Sequence, residues 1–384
     1  MIEAMRKWFP ILAFLATCVW SQDRESLLQQ VVDERKAGHT AAVAPLLERL
    51  LALDEARMGA SSLELVPTLE QLSRASLVLM KFEDAEAYSK RVLDIIEAAS
   101  DKLSPQLLTP LANLARVYHI SGKFIEAEAT VLREVSIRVR AQGPLHVDVA
   151  NDYATLARVY AAQKKYGQAA NVYLWALDIL EKTYGPDDPH LLVALDGIAI
   201  SYVQDKQDDQ VETPLLRVLA IREATNGPMH SEVAQTLDNL GQLYFRQKRF
   251  PEAAASYARS LKIWVERLGP KHTMIAVSLD NLAVALAAQE NFPEAEDAYR
   301  EALAIRDGED ISSLRNLSLV YMAQGKYKEA ELLFKRIMPL VEKPSEEMLS
   351  MLNDYQAALE HLNRKVEAAR IKSKVKQVES SLKK

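Results

Sequence analysis

Residues 238–257 read DNLGQLYFRQKRFPEAAASY, and residues 280–299 read DNLAVALAAQENFPEAEDAY. Nine of these twenty positions are identical, at a shift of 42. The same register extends outward in both directions. Phe82, Phe124, Tyr166, Asp208, Phe250 and Phe292 stand 42 residues apart, and Ala85, Ala127, Ala169, Val211, Ala253 and Ala295 follow three residues later. Tyr118, Tyr160, Tyr202 and Tyr244 form a third column, and a further copy with Tyr321, Tyr327 and Ala330 comes after 35 residues instead. Columns in phase over five periods identify a repeat array, whose units bury their apolar sides only against their neighbours.

Within one period the spacing is helical. Leu237, Leu240, Gly241 and Tyr244 follow i, i+3, i+4, i+7, one stripe of an amphipathic helix. Residues 247–250 break the pattern as a turn, and a second helix is expected from about Pro251 to Leu268, ended by Gly269-Pro270. Pro45, Pro214, Pro251 and Pro293 are expected in the opening turns of second helices, where the backbone donors have no intrahelical partner. Ala115, Ala157, Ala199, Gly241, Ala283 and Ser318 recur in the first helices, so that small side chains let the paired helices approach closely. The spacing predicts an all-α solenoid of about seven antiparallel helix pairs.

The stretch Leu240-Gly241-x-x-Tyr244, the turn ending in an aromatic, and Phe250-Pro251-Glu252-Ala253 resemble the tetratricopeptide repeat, in its 42-residue kinesin-light-chain-like variety. Gly-Pro-x-His linkers at 143–146, 227–230 and 269–272 belong to the same pattern. The resemblance covers roughly residues 63–340. It implies a right-handed superhelix whose first helices line a concave groove for peptides or partner domains.

The expected organisation is an N-terminal signal over 1–21, a degenerate helix pair over 22–62, the repeat array over 63–344 and capping helices over 345–384. Arg6 and Lys7 precede an apolar run of about 13 residues, short for a membrane span and suited to an export signal. Val19 and Ser21 fit cleavage before Gln22. Leu15-Ala16-Thr17-Cys18 approximates a bacterial lipobox that would acylate Cys18, and an uncleaved anchor is the third alternative. Cys18 is the only cysteine, which leaves the remainder without disulfides. The net charge of −6 is too mild for a nucleic-acid surface. The basic residues from Arg364 to Lys384 read as a solvated cap or, alternatively, as a contact for an anionic surface.

Candidate site residues lie on the other stripe of the first helices. Asparagine recurs there at Asn113, Asn239, Asn281 and Asn316, with Thr155 and Gly197 in the same column. In a helix interior Asn costs about half a kcal/mol relative to Ala, and its amide can both donate and accept. Two roles stay open: binding the backbone of an extended peptide, or bonding between neighbouring repeats. Arg116, Arg158, His119, Gln242, Arg246 and Arg315 complete the expected partner-binding groove, with Asp196, Asp238 and Asp280 giving it zones of opposite sign. The chaperone-tail clamp of some tetratricopeptide proteins needs lysine and asparagine four apart, and the first helices lack that pair. His146, His190, His230 and His272 fall in linkers too far apart to share a metal and are expected to cap helices.

No phosphate loop, nucleophile elbow, His-Glu-x-x-His or Cys-His arrangement is present. The expected function is a non-catalytic scaffold that binds protein or peptide segments in the groove, with no cofactor, metal, nucleic acid or small-molecule substrate and membrane attachment only through the N-terminus. The alternatives are a lipid-anchored envelope assembly factor of a secretion or pilus-like machine acting through its outer surface, and a regulatory domain for a catalytic partner chain. In the fourth repeat Asp208, Val211 and Gly197 replace the usual residues, and a softer joint is expected near 196–213.

Overall fold

The computed structural model describes residues 20–341 and 343–382, which form eighteen α-helices and no strand. Arg6, Lys7 and Cys18, on which export is expected, lie outside the described residues. The chain divides into two compact units at Pro186 and Asp187. Unit 1 holds four helical hairpins: α1 (20–36) with α2 (Thr40–Met58), α3 (Val66–Val78) with α4 (Phe82–Ala99), α5 (Leu108–Ile120) with α6 (Phe124–Gln142), and α7 (Val147–Ala162) with α8 (Tyr166–Tyr184). Unit 2 holds five: α9 (Leu192–Gln204) with α10 (Glu212–Asn226), α11 (Ser231–Arg246) with α12 (Phe250–Leu268), α13 (Thr273–Ala288) with α14 (Phe292–Ile305), α15 (Ile311–Ala323) with α16 (Tyr327–Ile337), and α17 (Glu346–His361) with α18 (Lys365–Leu382). Among the described residues no helix is long and apolar enough to cross a membrane.

One turn geometry builds every hairpin. Its left-handed position is filled by Gly38, Met80, Gly122, Lys164, Lys206, Lys248, Glu290, Gly325 and Asn363, with φ between 56° and 77°. The N–H of the next residue returns five residues back, Lys165 to the Tyr160 carbonyl at 2.9 Å and Arg249 to that of Tyr244 at 2.8 Å. This is the Schellman closure, which satisfies carbonyls that the helix leaves open. The tyrosine column is therefore placed by the turn as well as by the core.

The small columns sit where the paired helices meet. Ala85, Ala127, Ala169, Val211, Ala253, Ala295 and Ala330 have no exposed surface at all. Gly241 marks the tightest approach: a Cβ there would stand 2.7 Å from the Tyr257 ring. In the neighbouring hairpin Ala283 fills the same column and is fully buried.

Second helices of unit 2 end on Gly227 and Gly269, whose φ of 86° and 82° suit a residue without Cβ. The next first helix is then capped by the linker. His146, His230 and His272 each accept, through Nδ1, the N–H two residues on, at 3.2–3.3 Å. His190 departs from this expectation. Asp188 is the cap there, accepting the His190 N–H at 2.9 Å, and the His190 ring lies beside the same carboxylate oxygen.

One further expectation is corrected. Pro45 is the sixth residue of α2, past the free donors of the opening turn. In the fourth repeat residues Asp208–Gln210 form a 3-10 turn, and α10 has 15 residues where α8 and α12 have 19. The missing aromatic is replaced by an ion pair: Arg246 grips Asp208 with Nε and a terminal nitrogen, both at 3.0 Å.

Candidate functional site

The more exposed stripe of each first helix is the candidate surface, and the repeat register aligns it. In unit 2, α9 presents Val193, Gly197 and Ile200; α11 presents Gln235, Asn239 and Gln242; α13 presents Val277, Asn281 and Val284; α15 presents Ser312, Asn316 and Leu319. Val193 and Ile200 are 64% and 62% exposed, well beyond the usual state of a β-branched helix residue. Val277 and Leu319 are exposed too. The result is a row of amides flanked by apolar side chains.

Two of the four asparagines face a polar group of a neighbouring hairpin and two do not. Asn316 lies beside the Tyr299 phenol of the preceding hairpin, and Asn113 Nδ2 lies 3.5 Å from Glu70 Oε1. Asn239 is exposed and Asn281 half-buried, and neither has a side-chain partner among the described residues.

The aspartates do not share this surface. In α9, Asp196 accepts from Arg222 of α10 at 2.7 Å, while another Arg222 nitrogen donates to Thr236 of α11 at 2.7 Å. In α11, Asp238 accepts the Trp264 indole N–H of α12 at 3.1 Å. In α13, Asp280 is held by Arg306, just past the end of α14, and by the Ser313 hydroxyl of α15, the latter at 2.8 Å. Arg222, Trp264 and Arg306 stand 42 residues apart, and each lies 26 residues after its aspartate. These ties stitch a hairpin to itself and, through Thr236 and Ser313, to the next one. Burial pushes all three carboxyls up from the ordinary range, against the pull of the arginines or the indole.

In unit 1 the matching cation is Arg138 of α6. It donates to Asp152 of α7 at 2.6 Å, to Glu134 of its own helix at 3.1 Å and to Asp148 at 3.4 Å. Two nearly buried carboxylates thus share one guanidinium, and burial together with Asp152 raises Glu134 to about 7.

A second recurring tie runs along the turn edge. Gln163 and Gln289 donate to the carbonyl that opens the previous second helix, and Gln247 to the equivalent Asp208 carbonyl of the 3-10 turn, at 3.0–3.1 Å. Beside it Lys123, Lys165, Arg249 and Lys326 pair with Glu86, Glu128, Glu212 and Glu296. The Arg249 guanidinium also stacks 4.3 Å from the Tyr244 ring centre.

The expected groove cations have unequal fates. Arg246 is spent on Asp208. Arg315 donates to Ser350 at 2.9 Å and lies 3.6 Å from Glu347, so it joins α15 to α17. His119 is half-buried with its ring edge-on to Phe124, centroids 5.7 Å apart. Arg116 and Arg158 are exposed; Arg158 reaches only Thr155, one turn back on its own helix, at 2.9 Å. Sequence reasoning passed over Arg74 of α3, although it stands 42 residues before Arg116. It is exposed, with a loose contact to Glu70 at 3.9 Å. Arg74 and Arg116 border one narrow crevice together with Glu70 and Asn113. On its other side Arg74 rims an open cleft of about 390 Å³ floored by Val43, Ala75 and Val78, with Arg35 opposite.

Among the described residues no group of His, Cys, Asp or Glu is placed to hold a metal ion. One family model described as tetratricopeptide repeat matches residues 106–182 and 232–308, and a second matches 311–343. The chain carries tetratricopeptide repeats. Among solved structures the apo form of RapI is similar at a TM-score of 0.55, with 14% identity over 94% of this chain and 96% of that one. The C-terminal part of a TPR repeat-containing protein from Cytophaga hutchinsonii gives 0.53, with 16% identity over 76% of this chain and 99% of that one. A putative kinesin light chain of Podosopora anserina with nearly identical TPR-like repeats gives 0.47, with 21% identity over 53% of this chain and 95% of that one. At identities this low, the first two speak to the fold alone. No curated protein matches the chain.

Proposed function

We propose that the protein is a non-catalytic scaffold that binds extended segments of other proteins along the first-helix faces of its tetratricopeptide repeats. One observation carries this reading. Val193 and Ile200 of α9, Val277 of α13 and Leu319 of α15 stay exposed beside the unpartnered amides of Asn239 and Asn281, while Asp196, Asp238 and Asp280 nearby are bonded within the chain. Amides supply donors and acceptors to a ligand backbone, and the apolar residues take its side chains. Because the helices are held by packing, little ordering is required of the scaffold. A dissociation constant of about 1 μM, some −8 kcal/mol, would be ordinary for such a contact.

The test is an array of immobilised peptides probed with the full chain and with Val193→Asp and Asn239→Ala variants. Bound peptides should lose at least tenfold in retained signal with Val193→Asp and several-fold with Asn239→Ala. Retention equal to the parent chain on every peptide would remove the first-helix faces from consideration. Export is proposed as well, from Arg6, Lys7 and the apolar run that follows. Its support is the sequence, and N-terminal sequencing of the product expressed in a bacterial envelope should begin at Gln22.

A further inference from the structure

We propose that the first-helix face of unit 1 is a reader of acidic polypeptide segments, with Arg74, Arg116 and Arg158 each engaging a carboxylate. This rests on the scaffold reading above and gives it a ligand class. The three arginines occupy one repeat position in α3, α5 and α7, and all three are exposed. They differ in pairing from the arginines that tie the hairpins together. Arg133, Arg138, Arg222, Arg246, Arg249 and Arg306 each hold a carboxylate of this chain within hydrogen-bond reach. Arg116 has no such partner among the described residues, Arg158 has a threonine, and Arg74 has Glu70 only at 3.9 Å.

Opposing charge on these helices is scarce. Asp148 and Asp152 of α7 are turned to Arg138, α5 carries no acid, and Glu70 is the one carboxylate on α3. A guanidinium left unpaired presents a planar fork that fits a carboxylate at two points. The arginines recur once per hairpin, and an extended chain advances about 3.3 Å per residue. Acidic residues a few positions apart are therefore the pattern to offer successive arginines. Val78 and Ile120, each four residues beyond an arginine of the row, are 68% and 51% exposed. With the cleft beside Arg74, they give the ligand an apolar anchor next to its acids. Nucleic acid fits less well. The row offers apolar side chains where single-stranded ligands need aromatic platforms, and the chain as a whole is acidic.

The experiment is fluorescence anisotropy with the full chain and a labelled peptide, Leu-Ser-Glu-Ala-Ser-Glu-Ala-Ser-Glu-Gly. Comparison probes are the same peptide with lysine for each glutamate, a neutral valine- and asparagine-rich peptide, and a 15-nucleotide oligothymidine. The acidic peptide should bind at least tenfold tighter than the lysine peptide and weaken several-fold between 50 and 300 mM salt. Arg116→Gln should weaken it about fivefold, and the triple variant with Arg74→Gln and Arg158→Gln more than tenfold, with the helical circular dichroism unchanged. Equal affinity for the acidic and lysine peptides, an unaffected triple variant, or tighter binding of the oligothymidine would each overturn the proposal. If the neutral peptide still binds in a Val193→Asp-sensitive way while the acidic one does not, only this inference falls. Failure of every peptide would remove the scaffold reading with it.

Discussion

Ile200 holds in α9 the place that Arg158 holds in α7. Along that single register the residues run Arg74, Arg116 and Arg158 in unit 1, then Ile200, Gln242, Val284 and Leu319 in unit 2. The row is basic in one unit and uncharged in the other, on hairpins with the same turn and the same buried columns. Positions that pack are constrained: the alanine column shows no exposed surface and varies only to Val211. Positions that face outward carry no such demand, and there the two units diverge. Difference on that row is therefore the place to look for ligand choice, because packing does not explain it.

The neutrality of unit 2 depends on keeping its aspartates turned inward, and removing the cation that does so should give the largest effect. With Arg306→Ala, Asp280 is left half-buried without its charge partner. Unit 2 should lose about 3 kcal/mol in urea unfolding, and hydrogen exchange should rise across α13 to α15. Loss below a tenth of that would show the tie to be incidental.

Next in size is a pH dependence of unit 1. There Arg138 serves two nearly buried acids, whereas Arg222 serves Asp196 and a threonine. The groups facing Glu134 are Arg138 and Asp152, with Asp148 and, beyond it, His146 on the far side of the guanidinium. Asp152 keeps the short bond to Arg138, so Glu134 retains the proton. Its folded value of about 7 stands above the ordinary 4.5, so the stability it contributes is full below about pH 4.5 and is lost as pH rises through 7. Between pH 5 and 7 unit 1 should lose on the order of 2 kcal/mol, read as faster hydrogen exchange in α6 and α7. Glu134→Gln should flatten that profile, and an unchanged slope in the variant would place the titrating group elsewhere.

The smallest effect tests whether the shared turn is independent of the differences above it. Lys248 and Glu290 sit left-handed, where a side chain is disfavoured by about 1 kcal/mol or more. Glycine relieves that strain and gives back part of the gain through a freer unfolded chain. Glu290→Gly should thus stabilise unit 2 by about 0.5 kcal/mol in thermal unfolding, without altering peptide binding.

Much of this fold was legible in the sequence because a repeat prints its own geometry. The 42-residue columns placed the hairpins, the small residues marked the close approaches, and three linker histidines proved to be caps. What escaped were bonds that join positions 26 or 14 residues apart on different helices. Asp196, Asp238 and Asp280 looked like groove charges since they share the stripe with Asn239 and Asn281. Only the side-chain geometry turns them toward Arg222, Trp264 and Arg306. Arg246 and Arg315 each bond to a neighbouring hairpin, a tie that the register alone does not announce. Arg74 was within reach of the register alone, one period before Arg116. The replacement of an aromatic by Asp208 suggested a weakened joint, and the Arg246 ion pair is what the fourth hairpin has in its place.

The most direct test of a scaffold with two chemically distinct faces is selection of random 12-residue peptides on the full chain, repeated on Arg116→Asp and on Ile200→Asp. The account predicts two groups of binders: acidic sequences lost with Arg116→Asp only, and neutral apolar sequences lost with Ile200→Asp only. A single group indifferent to both substitutions, or binders that vanish with either one alike, would contradict it.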